Sequence, residues 1–194
     1  MDEPIFPGWS LALAAGPAVE PVSVLEVQAA LRVDSIDDEN LVAALAVAAR
    51  QWCEAAVGRA FATQTWRLRL DAFPAGAAIL LPRPPLLAVS SLTYIDAAGA
   101  PQTWASSNYI VSADLEPARL SLAAGASWPA TAARPDAVTI TYTAGYGGPA
   151  DVPQPLRAAI LLKCQDLYDR NPKEAEMLER AALALLWPYR VVYF

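Results

Sequence analysis

The chain has 194 residues, 55% of them hydrophobic, with 20 acidic against 14 basic side chains, two cysteines and no histidine. Such a composition supports a globular core in one large or two small domains and excludes a disordered chain. No apolar run approaches the roughly 20 residues a helix needs to cross a bilayer. The acidic balance leaves no basic patch to grip a nucleic-acid backbone through counterion release.

Residues 1–22 are rich in Pro, Ala and Gly and predict an extended N-terminal arm; with Asp2 and Glu3 after Met1 and no Lys or Arg before Arg32, they do not form a signal peptide. A helix starts at SVLE, where Ser23 and Glu26 form a capping box, and ends near Asp34. A second begins in DDEN with Asp37 or Asp38 as cap and stops at Gly58. Its spacing predicts an apolar stripe through Leu41, Leu45, Ala48, Trp52 and Ala56.

At Thr63 the period changes to two. Strands are expected in TWRLRL (65–70), AAILL (77–81), LAVSSLTYI (87–95), NYIVS (108–112) and VTITYT (138–143), joined by turn-forming Pro, Gly and Asp. They predict an antiparallel sandwich or barrel-like domain placed between helical pieces, an α+β fold. After Pro155 the helical period returns through Leu156, Ile160, Cys164 and Leu167. Asn171-Pro172 interrupts it, and a last helix through Leu178, Ala181, Ala182 and Leu185 runs to Pro188. The expected organisation is an arm (1–22), a first helical part (23–61), an inserted β-domain (62–150), a second helical part (151–187) and a C-terminal tail (188–194). The two helical parts have one apolar stripe each, so they should form one bundle. Cys53 and Cys164 sit in helical segments and are expected as free, buried thiols of a protein made in the cytoplasm.

The stretch VTITYTAGYGGPADVPQPLR (138–157) has the strand, glycine-loop and helix order of a phosphate cradle. It has no Lys and Ser or Thr after the glycines, and Pro149, Pro153 and Pro155 remove backbone donors, so it predicts a turn between two parts of the fold rather than a nucleotide site. Without histidine the usual general base, the paired nucleophiles and the commonest metal ligand are missing. The acids at 34, 37, 38 and 39 lack the ligand spacing of a calcium loop. No catalytic residue, cofactor or metal site is expected. The alternative is a carbohydrate-binding protein or a glycosidase needing only two carboxylates, with Trp104, Tyr109 and Trp128 lining a groove.

The ordered series VSVLEVQAALRVDSIDDENL, AARQWCEAAVGRAFATQTWRLRLDAFP, ILLPRPPLLAVSSLTYIDAAGAPQT, VTITYTAGYG, VPQPLRAAILLKCQDLYDR and LLWPYR covers residues 22–190. It resembles the head–tail connector, or adaptor, family of tailed phages, in the subgroup with a β-domain inserted among the helices; related particles called gene transfer agents use similar parts. The resemblance implies a non-enzymatic virion protein at the head–tail junction, made in the bacterial cytoplasm. It would form a ring, commonly of twelve subunits, beneath the portal protein and above a tail-side connector or stopper, with DNA passing through the axis without sequence-specific binding and no membrane contact. An acidic helical region would suit the wall of such a channel.

The chain closes on LALLWPYRVVYF. Chain ends are usually polar and frayed, so Trp187, Tyr189, Arg190, Val191, Val192, Tyr193 and Phe194 require a burial place. Either the tail folds back on the chain's own sheet, or it inserts into a partner, with Arg190 pairing with a carboxylate; what similar connectors do with this segment makes the portal the expected partner.

Overall fold

The structure, a computed structural model, describes residues 8–33, 39–76, 78–168 and 172–192, with Pro172 and Lys173 as backbone. The expected caps Asp37 and Asp38, the Asn171 break and the ends of both termini lie outside the described residues. Four helices and eight strands are described: β1 (Trp9–Ala15), α1 (Val24–Leu31), α2 (Glu39–Val57), β2 (Gln64–Leu70), β3 (Ala78–Leu81), β4 (Leu86–Ile95), β5 (Pro101–Thr103), β6 (Tyr109–Ser112), β7 (Ala118–Leu122), β8 (Val138–Ala144), α3 (Gln154–Tyr168) and α4 (Pro172–Leu186). They fall into two compact units divided after Gly16, Ala62 and Gly145.

The sheet unit holds β1 to β8. Its larger sheet has the order β1-β2-β8-β4-β5 and its smaller one β3-β7-β6, and every pairing is antiparallel. The two sheets are separate, which corrects the barrel-like alternative: β1, β5, β3 and β6 each end a sheet with an edge. Register lines up Leu68, Ile140 and Leu92 on one face of the larger sheet, all at 1% exposure or less, while Arg67, Thr141 and Ser91 occupy the other. The fully buried Ile79, Leu81 and Leu120 supply the apolar face of the smaller sheet. Each such side chain contributes about 1.5–3 kcal/mol on leaving water. The Tyr142 hydroxyl donates to the Pro82 carbonyl at 2.8 Å, giving this buried polar tip an acceptor.

Residues 9–15, expected within an extended arm, form β1 instead. Trp9, Leu11 and Leu13 alternate with Ser10 and Ala12, and the strand pairs residue by residue with β2 from Trp9↔Leu70 to Leu13↔Trp66. Strands β5 and β7 are further additions to the expected set. β7 reads ARLSL, whose buried Ala118 and Leu120 alternate with exposed Arg119.

The helical unit draws on two stretches of sequence, 17–62 and 146–192. One core joins them: Val27 of α1, Val42, Ala46, Ala49, Cys53 and Val57 of α2, Leu156, Ile160 and Cys164 of α3, and Ala182 and Leu186 of α4. The capping box at the start of α1 is present, with the Glu26 N–H donating to Ser23 Oγ at 3.2 Å and the Ser23 N–H to Glu26 Oε2 at 2.8 Å. Glu26 also meets Arg157 of α3, whose Nε donates to the Pro21 carbonyl. The helix ends slightly before Asp34, with Arg32 in the left-handed region at φ 57°.

The stripe expected on α2 is corrected by one position. Leu41, Ala48 and Ala56 are exposed, and the buried face runs through Val42, Ala46, Ala49, Cys53 and Val57. In a helix this rich in alanine two adjacent stripes are almost equally apolar, and the buried one was masked by Arg50 and Glu54. Both are buried because they pair: Arg50 Nη1 reaches Glu54 Oε2 at 2.6 Å, Arg50 Nε reaches Glu20 Oε2 at 2.7 Å, and Glu54 Oε1 accepts the Phe61 N–H at 2.8 Å. Lys163 is a second buried charge. Its ammonium lies 4.3 Å from the Trp52 ring centre and pairs with Asp166 and Glu179, so α2, α3 and α4 meet around it. Burial draws its pKa down, but these two carboxylates outweigh that and hold it above the ordinary lysine value.

Candidate interaction surfaces

Of the described C-terminal residues, Tyr189 and Val191 are held on the helical unit. Trp187–Tyr189 form a 3-10 turn closed by the Arg190 N–H on the Trp187 carbonyl. The Arg59 Nε then donates to the Tyr189 carbonyl at 3.0 Å, and the Val191 N–H donates to the Val57 carbonyl at 2.9 Å. Gly58 takes φ +72° at the end of α2, the left-handed position expected of it, and Val191 lies over it, 3.7 Å from where a Cβ would stand. Arg59, itself 6% exposed, also lies over the Tyr146 ring.

Of the seven expected partner-binding residues, Tyr189 packs on the core and Val191 is half-buried. Trp187 and Val192 remain 69% and 51% exposed, and Tyr193 and Phe194 lie outside the described residues. Arg190 stacks 5.5 Å from the Trp187 ring centre. Through Val191 the tail docks on α2 of its own helical unit. A cleft of about 190 Å³ between Ala56, Leu183, Leu186, Trp187 and Arg190 borders it.

The sheet unit presents apolar edges. Leu13 on β1 and Ile110 and Val111 on β6 are 41%, 57% and 37% exposed, and neither strand contains a charge or a proline. The other end of the larger sheet, β5, is three residues long and begins with Pro101, which has no N–H to offer. Sequence reasoning missed the β1 edge, although the alternation of Trp9, Leu11 and Leu13 was its signal.

The glycine loop has an acceptor of its own. Asp151 Oδ2 accepts the Gly148 N–H at 2.8 Å, so a carboxylate of the chain already occupies the amide an anion would need. Trp104, Tyr109 and Trp128 gather with Phe73 in one aromatic cluster. Phe73 stacks on Trp128 at 4.8 Å, and Trp104, only 9% exposed, contacts Trp128, Tyr109 and Phe73. Among the described residues, the carboxyls of Glu26 and Asp96 are held below their ordinary range, chiefly by the backbone N–H donors of Ser23 and Ala100 respectively. Among the described residues no cluster of three His, Cys, Asp or Glu side chains could hold a metal, and no helix is long and apolar enough to cross a membrane. Cys53 and Cys164 are free and buried, and loss of solvent pushes both thiols up to about 12.

No protein-family model and no curated protein sequence matches the chain. Solved structures do. A chain from the virion of a native gene transfer agent particle is 26% identical with a TM-score of 0.78, over 95% of this chain and 96% of that one. A chain from the neck of an empty gene transfer agent particle, computed with C6 symmetry, is 24% identical with a TM-score of 0.80, over 95% and 97%. One from the neck of a native particle, computed with C12 symmetry, is 23% identical with a TM-score of 0.74, again over 95% and 97%. This chain therefore shares, over nearly its whole length, the fold of chains found in those particles.

Proposed function

We propose that this protein is a structural head–tail connector, of the adaptor subgroup with a β-domain inserted among its helices, in the neck of a phage or gene transfer agent. It forms a ring beneath the portal, joins the DNA-filled head to the tail-side stopper, and leaves an axial channel for DNA. The observation that carries this reading is the near-complete mutual coverage, 95% of this chain and 96% of a virion chain that is 26% identical to it. The symmetry of the two neck assemblies supports a ring, and twelve copies is the number proposed. An excess of acid over base suits a passage that must not hold the DNA moving through it.

In this role the exposed Trp187 and Val192, with Tyr193 and Phe194 beyond them, face the portal. Arg59 and Val57 hold the backbone at Tyr189 and Val191, between the exposed Trp187 and Val192. The experiment is deletion of the gene from the particle-producing strain. Packaged heads without tails should accumulate, and plasmid-borne protein should restore joining. Tailed, DNA-filled particles in the deletion strain would overturn the reading.

A further inference from the structure

A ring built by rotation has heterologous contacts: each copy meets its neighbour through two different surfaces, which must be complementary. This inference rests on the ring reading above and asks which surfaces those are. Two edges of the sheet unit have the required chemistry. The Asp71 N–H donates to the Gly8 carbonyl, and in an antiparallel ladder this fixes the alternation: Ser10 and Ala12 turn their backbone groups to β2, while Trp9, Leu11 and Leu13 turn theirs outward. On the smaller sheet the Ala123 N–H donates to the Asn108 carbonyl, so Ile110 and Ser112 face β7. Val111 presents its N–H and C=O outward, together with the Tyr109 carbonyl; the Tyr109 N–H is already given to Ser106.

Natural sheet edges that must stay single carry lysine, proline or an inward charge. β1 and β6 carry none of these. Their side chains are also mutually suited: Leu13 on β1 and Ile110 and Val111 on β6 are apolar and exposed, so pairing would shelter them from water. The remaining edge of the larger sheet, β5, has three exposed residues, one of them proline, and offers little to pair with.

We propose that β1 of one copy pairs with β6 of the next, so that the five-stranded sheet of each subunit continues into the three-stranded sheet of its neighbour around the ring. A two-sided contact of this kind propagates without capping itself, and rotation about the axis closes it. Pairing of the edges supplies backbone hydrogen bonds and fixes the angle between neighbours more firmly than side-chain packing alone.

Hydrogen exchange on the free chain and on isolated necks provides the test. The amides of Trp9, Leu11, Leu13 and Val111 should exchange fast in the free chain and at least about tenfold more slowly in the neck. Leu11→Pro and Val111→Pro each remove one outward N–H while leaving the inward ladder intact. Each should reduce ring incorporation about tenfold or more, and mixing the two should yield mixed pairs through the remaining good edges. Circular dichroism of each variant checks folding; should either misfold, the exchange comparison on the native sequence decides alone. A ring whose β1 and β6 amides stay unprotected would overturn this inference and leave the connector reading standing. Protection of β1 without β6 would also overturn it, by assigning the edge to a strand from another protein. Necks that lack this chain would remove both.

Discussion

Replacing Arg59 with alanine tests whether the C-terminal segment belongs to the helical unit. The substitution removes a charge-assisted hydrogen bond to the Tyr189 carbonyl and the guanidinium above the Tyr146 ring, 5.8 Å from its centre. A hydrogen bond from a charged donor contributes about 1.5–3 kcal/mol and a partly exposed cation–π contact about 0.5–1 kcal/mol, so the expected loss is about 2–4 kcal/mol. Truncation before Tyr189 removes the same contact and the Val191 to Val57 bond from the other side. It therefore lowers stability too, by less than the sum of these contacts, because the residues removed no longer have to be ordered. The two changes should be strongly non-additive, since in the truncated chain Arg59→Ala has no tail to lose. Urea unfolding of the four proteins, monitored by tryptophan fluorescence, measures the coupling. Additive losses, or a truncated chain with an unchanged midpoint, would show that residues 189–192 are not docked on Val57 and Arg59.

The face of α2 is tested by two neighbouring alanines: Ala49→Leu overfills the core and should cost about 1–3 kcal/mol in urea unfolding, whereas Ala48→Leu, on the exposed side, should stay within about 0.5 kcal/mol. The thiols of Cys53 and Cys164, raised to about 12 by burial, should resist a thiol-reactive dye at pH 8 until the chain unfolds; rapid labelling of the native protein would contradict their placement. Glu26 has a lowered pKa, so the stability it adds is present above the unfolded carboxylate value, about 4.3, and is lost as pH falls through the folded value. Glu26→Gln should therefore flatten the acid limb of the stability profile below about pH 4.5, and an unchanged limb would dismiss the Ser23 and Arg157 contacts as its cause.

What the sequence disclosed followed from strong local signals. The capping box at Ser23, the left-handed Gly58 and the period-two runs that became β2, β4 and β8 each depend on neighbours close in the chain, so they were legible. β1 was not, because Pro and Gly on both sides gave its seven residues the composition of a linker, and only pairing with β2, far away in sequence, makes them a strand. The buried side of α2 was misread because Arg50 and Glu54 look like solvent-facing residues until Glu20 and the Phe61 amide are seen beside them. The apolar character of the tail was legible, although Trp187 and Val192 stay exposed. Its docking on Val57 and Arg59 was not, since a backbone carbonyl offered to an arginine leaves no trace in composition. The prolines of the glycine loop argued against a phosphate cradle, and in the structure Asp151 accepts the Gly148 N–H.

The most direct measurement of the connector account is a three-dimensional reconstruction of the neck in particles made by the strain that encodes this chain. The account predicts density for its two units repeated around the axis as a closed ring between portal and tail, with an open channel along the centre and Trp187 turned toward the portal. A neck whose ring at that level is built by a different protein, with this chain absent from the particle, would contradict it.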